Sequence, residues 1–254
     1  MNIPFVLLTD FGTSDPYVGQ VKGVLHRYAP EARIIDLYHD LPPFSIASGA
    51  WLLERCLPIM PAPSIWLCVV DPGVGSSRRG LAISSGISFY VGPDNGLLTP
   101  IFQNADWQAV SLPRNAHAAP TFHGRDLFAP VAARLHNGET LENLGTPVHD
   151  PVRCNDPGWS VVAGGFDATI MLSDRYGNLI TALPKSVVAG KTLRGTIHGQ
   201  ACGTLVNTFA SVPLGEAALV AGGFGTIEII VNQGSAQHRF NAQTGERVHF
   251  TVDA

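Results

Sequence analysis

The chain has 254 residues, of which 45% are apolar and 14% charged, with a net charge of -4. That length carries one large domain or two modest ones with a real core, and so little charge excludes a disordered chain. The small negative charge argues against nucleic-acid binding by phosphate neutralisation. No run of 18 apolar residues is present, so no membrane span is expected. The opening MNIPFVLLTDFG has no basic segment ahead of its apolar run, and reads as a first strand, not a signal peptide. Cys56, Cys68, Cys154 and Cys202 are scattered and form no C-x-x-C, a pattern that fits reduced thiols in a cytoplasmic protein.

In chain order, IPFVLLT is a β-rich run. SDPYVGQVKGVLHRYAP reads as a helix capped by Ser14 or Asp15, with Pro16 in its first turn and Val18, Val21 and Leu25 at helical spacing, stopped by Pro30. ARIIDLYHD is a strand, and PPFSIASGAWLLERCL is a helix with a Pro-rich entry. SIWLCVV is a continuous apolar strand, of the kind covered on both faces. GLAISS and SFYVG meet at a Gly turn, and GRDLFAPVAARLHNG is a helix with a Gly stop. This alternation predicts a three-layer α/β domain with a mostly parallel sheet over residues 1–150. HDPVRCNDPGWS is the expected linker. Short runs follow (ATIMLS, TLVNTF, AALVAG, TIEIIVN, RVHFTV) with no convincing helix, which predicts a smaller antiparallel β domain, barrel-like, over residues 163–254.

In a parallel α/β sheet, ligands sit beyond the carboxyl ends of the strands. Three loops there carry polar side chains: LTDFGTSDPY with Asp10 and Asp15, VVDPGVGSSRR with Asp71, Arg78 and Arg79, and PTFHGRDLFAP with His123, Arg125 and Asp126. Taken singly, each has a structural role open to it. Asp15 suits a helix cap, Asp71-Pro-Gly a turn, and Asp126 a first-turn acid facing a helix dipole. His123 suits a satisfied structural histidine, and the arginines a solvated pair. GVGSS lacks G-x-G-x-x-G and a following Lys-Ser/Thr, so it is a poor dinucleotide or P-loop signal. No H-x-x-x-H or E-x-x-H spacing points to a metal.

The combination is more specific than its parts. LLTDFGTSDPYVGQVKG, DLPPFSIASGAWLL, VVDPGVGSSRRGLA, YVGPDNGLLTP, TFHGRDLFAPVAA, DRYGNLITAL and GGFGTIEIIVNQGSA run in order through nearly the whole chain. Together they resemble the S-adenosyl-L-methionine (SAM) hydroxide adenosyltransferases, relatives of the fluorinating and chlorinating enzymes that act on the same substrate. The resemblance implies an N-terminal α/β domain carrying the water and ribose site and a C-terminal β domain carrying the adenine site. It also implies a homotrimer, with active sites where one subunit's N-terminal domain meets a neighbour's C-terminal domain. The implied reaction is attack of water or hydroxide on C5′, giving adenosine and L-methionine with no metal or organic cofactor.

The same resemblance assigns residues. Asp71, Arg78 and His123 match the catalytic set of the hydroxide-using branch; the spacing selects Arg78, with Arg79 as the alternative. The halogenating branch has Tyr in place of Asp71 and Ser in place of Gly124, so the residues here favour water over halide. Asp10 matches the acid on the two ribose hydroxyls, a task suited to a group that accepts two hydrogen bonds. Asp15 and Asp174 match acids near the methionine ammonium, Asn178 the reader of the adenine edge, Phe44 an aromatic beside the sugar, and Phe209 an adenine stacker. Where a halogenating relative has an Arg on the methionine carboxylate, GGFGTIE has Phe224 nearby, and backbone amides are the expected substitute. Histidine has an ordinary pKa near ~6.5, so His123 is expected as base or proton relay, with Asp71 placing the water and Arg78 fixing Asp71. The alternative ordering puts Asp71 on the water with His123 behind it. The backbone N–H of Gly124 is a further holder for the oxygen. Two other functions share the scaffold: a non-catalytic adenosine or SAM binder, and SAM-dependent halide transfer.

Overall fold

Runs of apolar residues with no polar face become interior strands. β1 (Phe5–Thr9) and β3 (Ile65–Val69) are buried at every position. In this computed structural model residues 3–114, 117–154 and 156–252 are described; Asn155, inside the expected linker, is among those that lie outside. The chain divides into two units, Met1–Asn155 and Asp156–Ala254.

The first unit continues with α1 (Tyr17–Tyr28), β2 (Ile34–Tyr38), α2 (Ile46–Cys56), β4 (Gly80–Ser85), β5 (Ser88–Pro93), β6 (Gln108–Leu112), α3 (Ala129–His136), α4 (Leu141–Leu144) and β7 (Thr146–Pro147). Its seven-stranded sheet has the order β2-β1-β3-β5-β4-β6-β7. β2, β1, β3 and β5 run parallel, and β4, β6 and β7 are added antiparallel. The sheet is therefore mixed. The two-residue turn at Gly86, with φ +57°, joins β4 to β5 and can only make an antiparallel pair. Val21 and Leu25 of α1 join Phe128, Ala132 and Leu135 in one cluster with Phe5, Leu7, Ile65 and Leu67 of the sheet. The alternate residues Val6, Leu8, Trp66 and Cys68 are buried on the opposite face.

Two helix starts differ from their expected caps. Pro16 itself occupies the N-cap of α1, with no side-chain cap, so the helix begins one residue later and neither Ser14 nor Asp15 reaches its free N–H groups. α2 begins after the prolines, capped by Ser45, whose hydroxyl accepts from Ser48 N–H. α3 is entered through a π-helical turn, Gly124–Phe128, with His123 at its N-cap; such turns cluster at functional sites.

The second unit contains β8 (Trp159–Val162), β9 (Gly165–Ser173), β10 (Leu179–Pro184), β11 (Leu193–Ile197), β12 (Gln200–Val206), β13 (Ala217–Ala221), β14 (Thr226–Val231), α5 (Ala236–Phe240) and β15 (Arg247–Val252). β9 and β10 pair and close the ring β9-β10-β14-β13-β12-β11-β15, a seven-stranded barrel with β8 folded onto β9. Closure leaves no free edge within the ring. All its pairings are antiparallel except β12–β13, which is parallel. Phe166, Ile170, Leu179, Leu193, Ile229 and Phe250 fill the interior. The short helix α5 was not expected; five residues are too few for a helical period, and Ser235 caps it through His238 N–H. Among the described residues no helix is long and apolar enough to cross a membrane.

Candidate active site

The chain leaves β1 toward β2 on one side and returns through β3 on the other, so the strand order reverses between β1 and β3. A doubly wound sheet opens its ligand crevice at that place. Asp10 directly follows β1, and Asp71 follows Val70 after β3. Asn95 helps fix the second strand end by donating to Val70 carbonyl oxygen at 2.8 Å.

Asp71 is gripped by a fork. Arg78 Nε donates to Oδ1 at 3.0 Å and Nη2 to Oδ2 at 2.5 Å, with both side chains almost fully buried. Such planar bidentate pairing is what arginine offers and lysine does not. The guanidinium lies over the Phe128 ring, 5.3 Å from its centre, and Nη1 donates to the Arg79 carbonyl. Nη2 also approaches His123 Nδ1 at 3.0 Å. Arginine can only donate, so Nδ1 accepts and the neutral imidazole carries its hydrogen on Nε2. Protonating Nδ1 would break this bond and set a second positive charge against the first. Burial, and then the Arg78 charge, hold the His123 pKa below its ordinary value. Burial raises Asp71 above the usual carboxylate range, outweighing the Arg78 charge and hydrogen bonds that pull it down. The arrangement thus narrows the gap in proton affinity between Asp71 and His123. The imidazole of His123 presents an N–H donor, while Asp71, which also accepts from Gly73 N–H, keeps one acceptor position open.

Asp10 shares the crevice. Its Oδ2 accepts from Phe44 N–H at 2.9 Å, tying the end of β1 to the loop before α2. Phe44 sits at φ +65° and is 71% exposed, an unfavoured backbone for a bulky residue and an unfavoured place for its ring. Both costs suit a side chain held out for a ligand. Burial raises the Asp10 pKa; the Phe44 N–H opposes this, and the Asp71 charge adds to it. Behind Asp10 runs a relay, buried at Thr9 and His39 and open to solvent at Asp36 and Lys22, that sequence reasoning missed. Thr9 Oγ1 meets His39 Nδ1 at 2.9 Å, His39 Nε2 meets Asp36 Oδ1 at 3.0 Å, and Lys22 holds Asp36 at 2.5 Å. Thr9 Oγ1 accepts from Phe11 N–H, and the His39 carbonyl accepts from Gly12 N–H, so the relay fixes the loop on both sides of Asp10. His39→Ala is expected to cost about 2–3 kcal/mol through the cavity and the stranded Thr9 hydroxyl. Urea denaturation measures this, and an unchanged midpoint would rule the relay out as a support.

Asp10, Asp71, Phe44, His123 and Gly124 line one cleft of about 430 Å³, walled by Phe11, Tyr17 and Phe122. Those three rings stack edge to face at 5.3–6.2 Å. Gly124 packs closely there: a Cβ would come within 3.1 Å of the Phe11 ring, which would have to give by a few tenths of an ångström. Arg79 turns away from Asp71, to Asp94 and Asp150. Asp126 accepts from Arg125 and from Ala119 N–H. Asp15 is exposed beside Pro16 and does not line this cleft.

In the second unit, Asp174 is the keystone of the DRYGN turn. Its Oδ1 accepts from Tyr176 and Asn178 N–H at 2.9 Å, and its Oδ2 accepts from the Asn178 side-chain amide at 2.8 Å. Asn178 and Phe209 line a second cleft of about 560 Å³ with Tyr176, which is 77% exposed. Tyr176 was missed, although it lies inside the quoted DRYGN. Among the described residues no three His, Cys, Asp or Glu gather as metal ligands.

A buried acid–guanidinium pair beside a half-buried imidazole, at the strand-order reversal of an α/β sheet, defines an enzyme-like site for a small molecule. The comparisons sharpen that class. Residues 5–145 match the SAM hydroxide adenosyltransferase N-terminal domain and residues 168–249 the C-terminal domain. The chain belongs to this family. It is 38% identical to the (R)-S-adenosyl-L-methionine hydrolase of Thermus thermophilus, over 95% of this chain and 97% of that one. A fluorinase from Actinoplanes sp. is 25% identical over 96% of each chain. The crystal structure of a conserved hypothetical protein, also from Thermus thermophilus, matches with a TM-score of 0.77 at 36% identity, covering 98% of this chain and 99% of that one.

Proposed function

We propose that this protein hydrolyses SAM to adenosine and L-methionine by attack of water on C5′. The observation that carries the reading is the Asp71–Arg78–His123 constellation, whose Asp71 and His123 line one cleft with Asp10. Two carboxylates in an apolar-walled cleft attract a sulfonium, and attack by an oxygen anion on a cation is strengthened in a low dielectric. Arg78 holds Asp71 and sets the His123 tautomer. The Nε2–H of His123 donates to the water oxygen, and Asp71 accepts the proton. The oxygen bonds to C5′, the C5′–S pair leaves on sulfur as the methionine thioether, and Asp71 returns its proton to solvent. Asp10 accepts from the ribose hydroxyls, with Phe44 beside the sugar and Asp15 near the methionine end. Asn178, Phe209 and Tyr176 form the adenine end. No metal or organic cofactor enters this scheme.

The proposal includes a homotrimer, with each site completed across neighbouring subunits, and a cytoplasmic location. The exposed rings of Phe44, Phe209 and Tyr176 support the former, since bound substrate and a neighbour would cover them. Four unpaired cysteines support the latter. Light scattering reads the mass.

The deciding assay incubates the protein with each sulfur epimer of SAM in H2-18O. Adenosine carrying 18O at the 5′ oxygen is the expected product, and unlabelled adenosine or intact SAM overturns the reading. Added chloride tests halide transfer through a 5′-chloro nucleoside. The competent state has Asp71 ionised and His123 neutral. Asp71 titrates above its ordinary 3.8 and His123 below its ordinary 6.5. Activity is therefore expected to fall as acid protonates them inside that window, and these groups impose no loss toward alkaline pH. A kcat/KM profile tests this; an acid limb with its midpoint above neutrality contradicts it.

A further inference from the structure

His123 has a second side. Besides the substrate cleft it lines another hollow of the first unit, about 360 Å³, together with Ser76, Arg78, Arg79, Arg114 and Leu127. The partition is one loop thick: Val74 lines the cleft and Gly75 the hollow. Gly75, at φ +82°, lies so near the segment before His123 that a Cβ would come within 2.7 Å of the Pro120 carbonyl oxygen. The two sides differ in charge. The cleft holds the carboxylates of Asp10 and Asp71. The hollow is lined by three arginines and by no carboxylate.

Two of those arginines are pinned by acids that do not line the hollow: Asp71 holds Arg78, and Asp94 and Asp150 hold Arg79. Arg114 differs. It is exposed, and among the described residues it has no ion-pair partner. Its hydrogen bond is a long one, 3.4 Å from Nη2 to the Ser76 carbonyl. A guanidinium with unspent donors beside two fixed ones suits an oxyanion, which accepts from such forks at two oxygens. A cation finds no counter-charge there, and the volume suits a small molecule.

We propose that this hollow binds a small tetrahedral oxyanion, sulfate or the phosphate group of a small ester, with Arg114 as its main anchor, and that occupancy slows the chemistry across the His123 wall. The binding half stands alone; the effect on turnover rests on the SAM-cleaving reading. Asp71, Asp126, Arg78 and Arg114 already act on His123, and Arg78, His123 and Asp10 on Asp71. A further negative charge behind the wall raises the proton affinity of both His123 and Asp71. Both work unprotonated, so the acid limb of the rate profile moves to higher pH, by about half a unit or more.

Titration calorimetry with sodium sulfate and with glycerol phosphate compares wild type with Arg114→Gln and Arg114→Glu. Arg114 is exposed, so both variants are expected to fold, and without added anion to keep kcat within about twofold at pH 8. Arg114→Gln is expected to weaken binding by about 3- to 10-fold, and Arg114→Glu by more. The tighter ligand distinguishes a free anion from an ester. No binding by wild type, or equal binding by all three proteins, overturns the proposal. In turnover, saturating sulfate is set against sodium chloride of equal ionic strength. At a pH on the acid limb it is expected to lower kcat about threefold, to leave KM for SAM unchanged, and to lose this effect in Arg114→Glu. A rise in KM alone puts sulfate in the substrate cleft and overturns the proposal. A wild type that binds sulfate through Arg114 yet converts no SAM fails the SAM-cleaving reading and upholds the anion site.

Discussion

Asp71→Asn is expected to lower kcat for SAM hydrolysis by about 10²–10⁴-fold while KM changes little. The substitution keeps size but removes the charge and turns one acceptor oxygen into a donor. Arg78 Nε and Nη2 each point at one oxygen of residue 71, so the amide N–H2 must face a donor or rotate away. The fork opens, Arg78 loses its partner in a nearly dry place, and the water loses its acceptor. Asp71→Ala goes further, since an uncompensated buried guanidinium costs about 3–5 kcal/mol of stability. The Asn variant is therefore the cleaner probe, with denaturation run alongside. Single-turnover formation of adenosine measures the effect, and more than a third of the wild-type rate in a folded Asn variant would remove Asp71 from the chemistry.

Asp10→Ala is expected to act on binding. Two charge-assisted hydrogen bonds to a ribose diol are worth about 1.5–3 kcal/mol each, so KM should rise by about 10²–10⁴-fold. Part of that loss has another source, because Asp10 also holds Phe44 N–H and with it a residue at positive φ. A 2′-deoxy substrate separates the two. If the carboxylate grips the diol, the variant's penalty shrinks on the deoxy compound. If Asp10 serves only the Phe44 loop, both substrates suffer equally. Asp10→Asn keeps an acceptor for Phe44 N–H and should recover only that share.

Much of the architecture was written in local pattern. SIWLCVV has no polar face and could only be an interior strand; GLAISS and SFYVG announced a hairpin through their Gly turn. The parallel β12–β13 pair was not legible, because TLVNTF and AALVAG look alike whether their neighbours run with or against them. The π turn at Gly124 was hidden for a similar reason: its side-chain spacing resembles that of the α-helix it enters. In the site, the family resemblance marked Asp71 and Arg78, which the fold brings to 2.5 Å. The contact of Arg78 with His123 spans 45 positions and left no local trace. Thr9, Asp36 and His39 read as ordinary strand and loop residues, since their relay exists only once β1 and β2 lie side by side.

The single parallel step in the barrel reaches further than topology. Adjacent strands that run the same way cannot be joined by a tight turn, because the chain must travel back along the wall before it re-enters. Residues 207–216 make that return journey between β12 and β13, and Phe209 rides on it in a short 3-10 turn. A ring woven only from up-and-down hairpins would have had no spare length there, and no platform on which to mount an aromatic ring beside Asn178. The detour in the weave is thus where the barrel acquires one wall of its cleft.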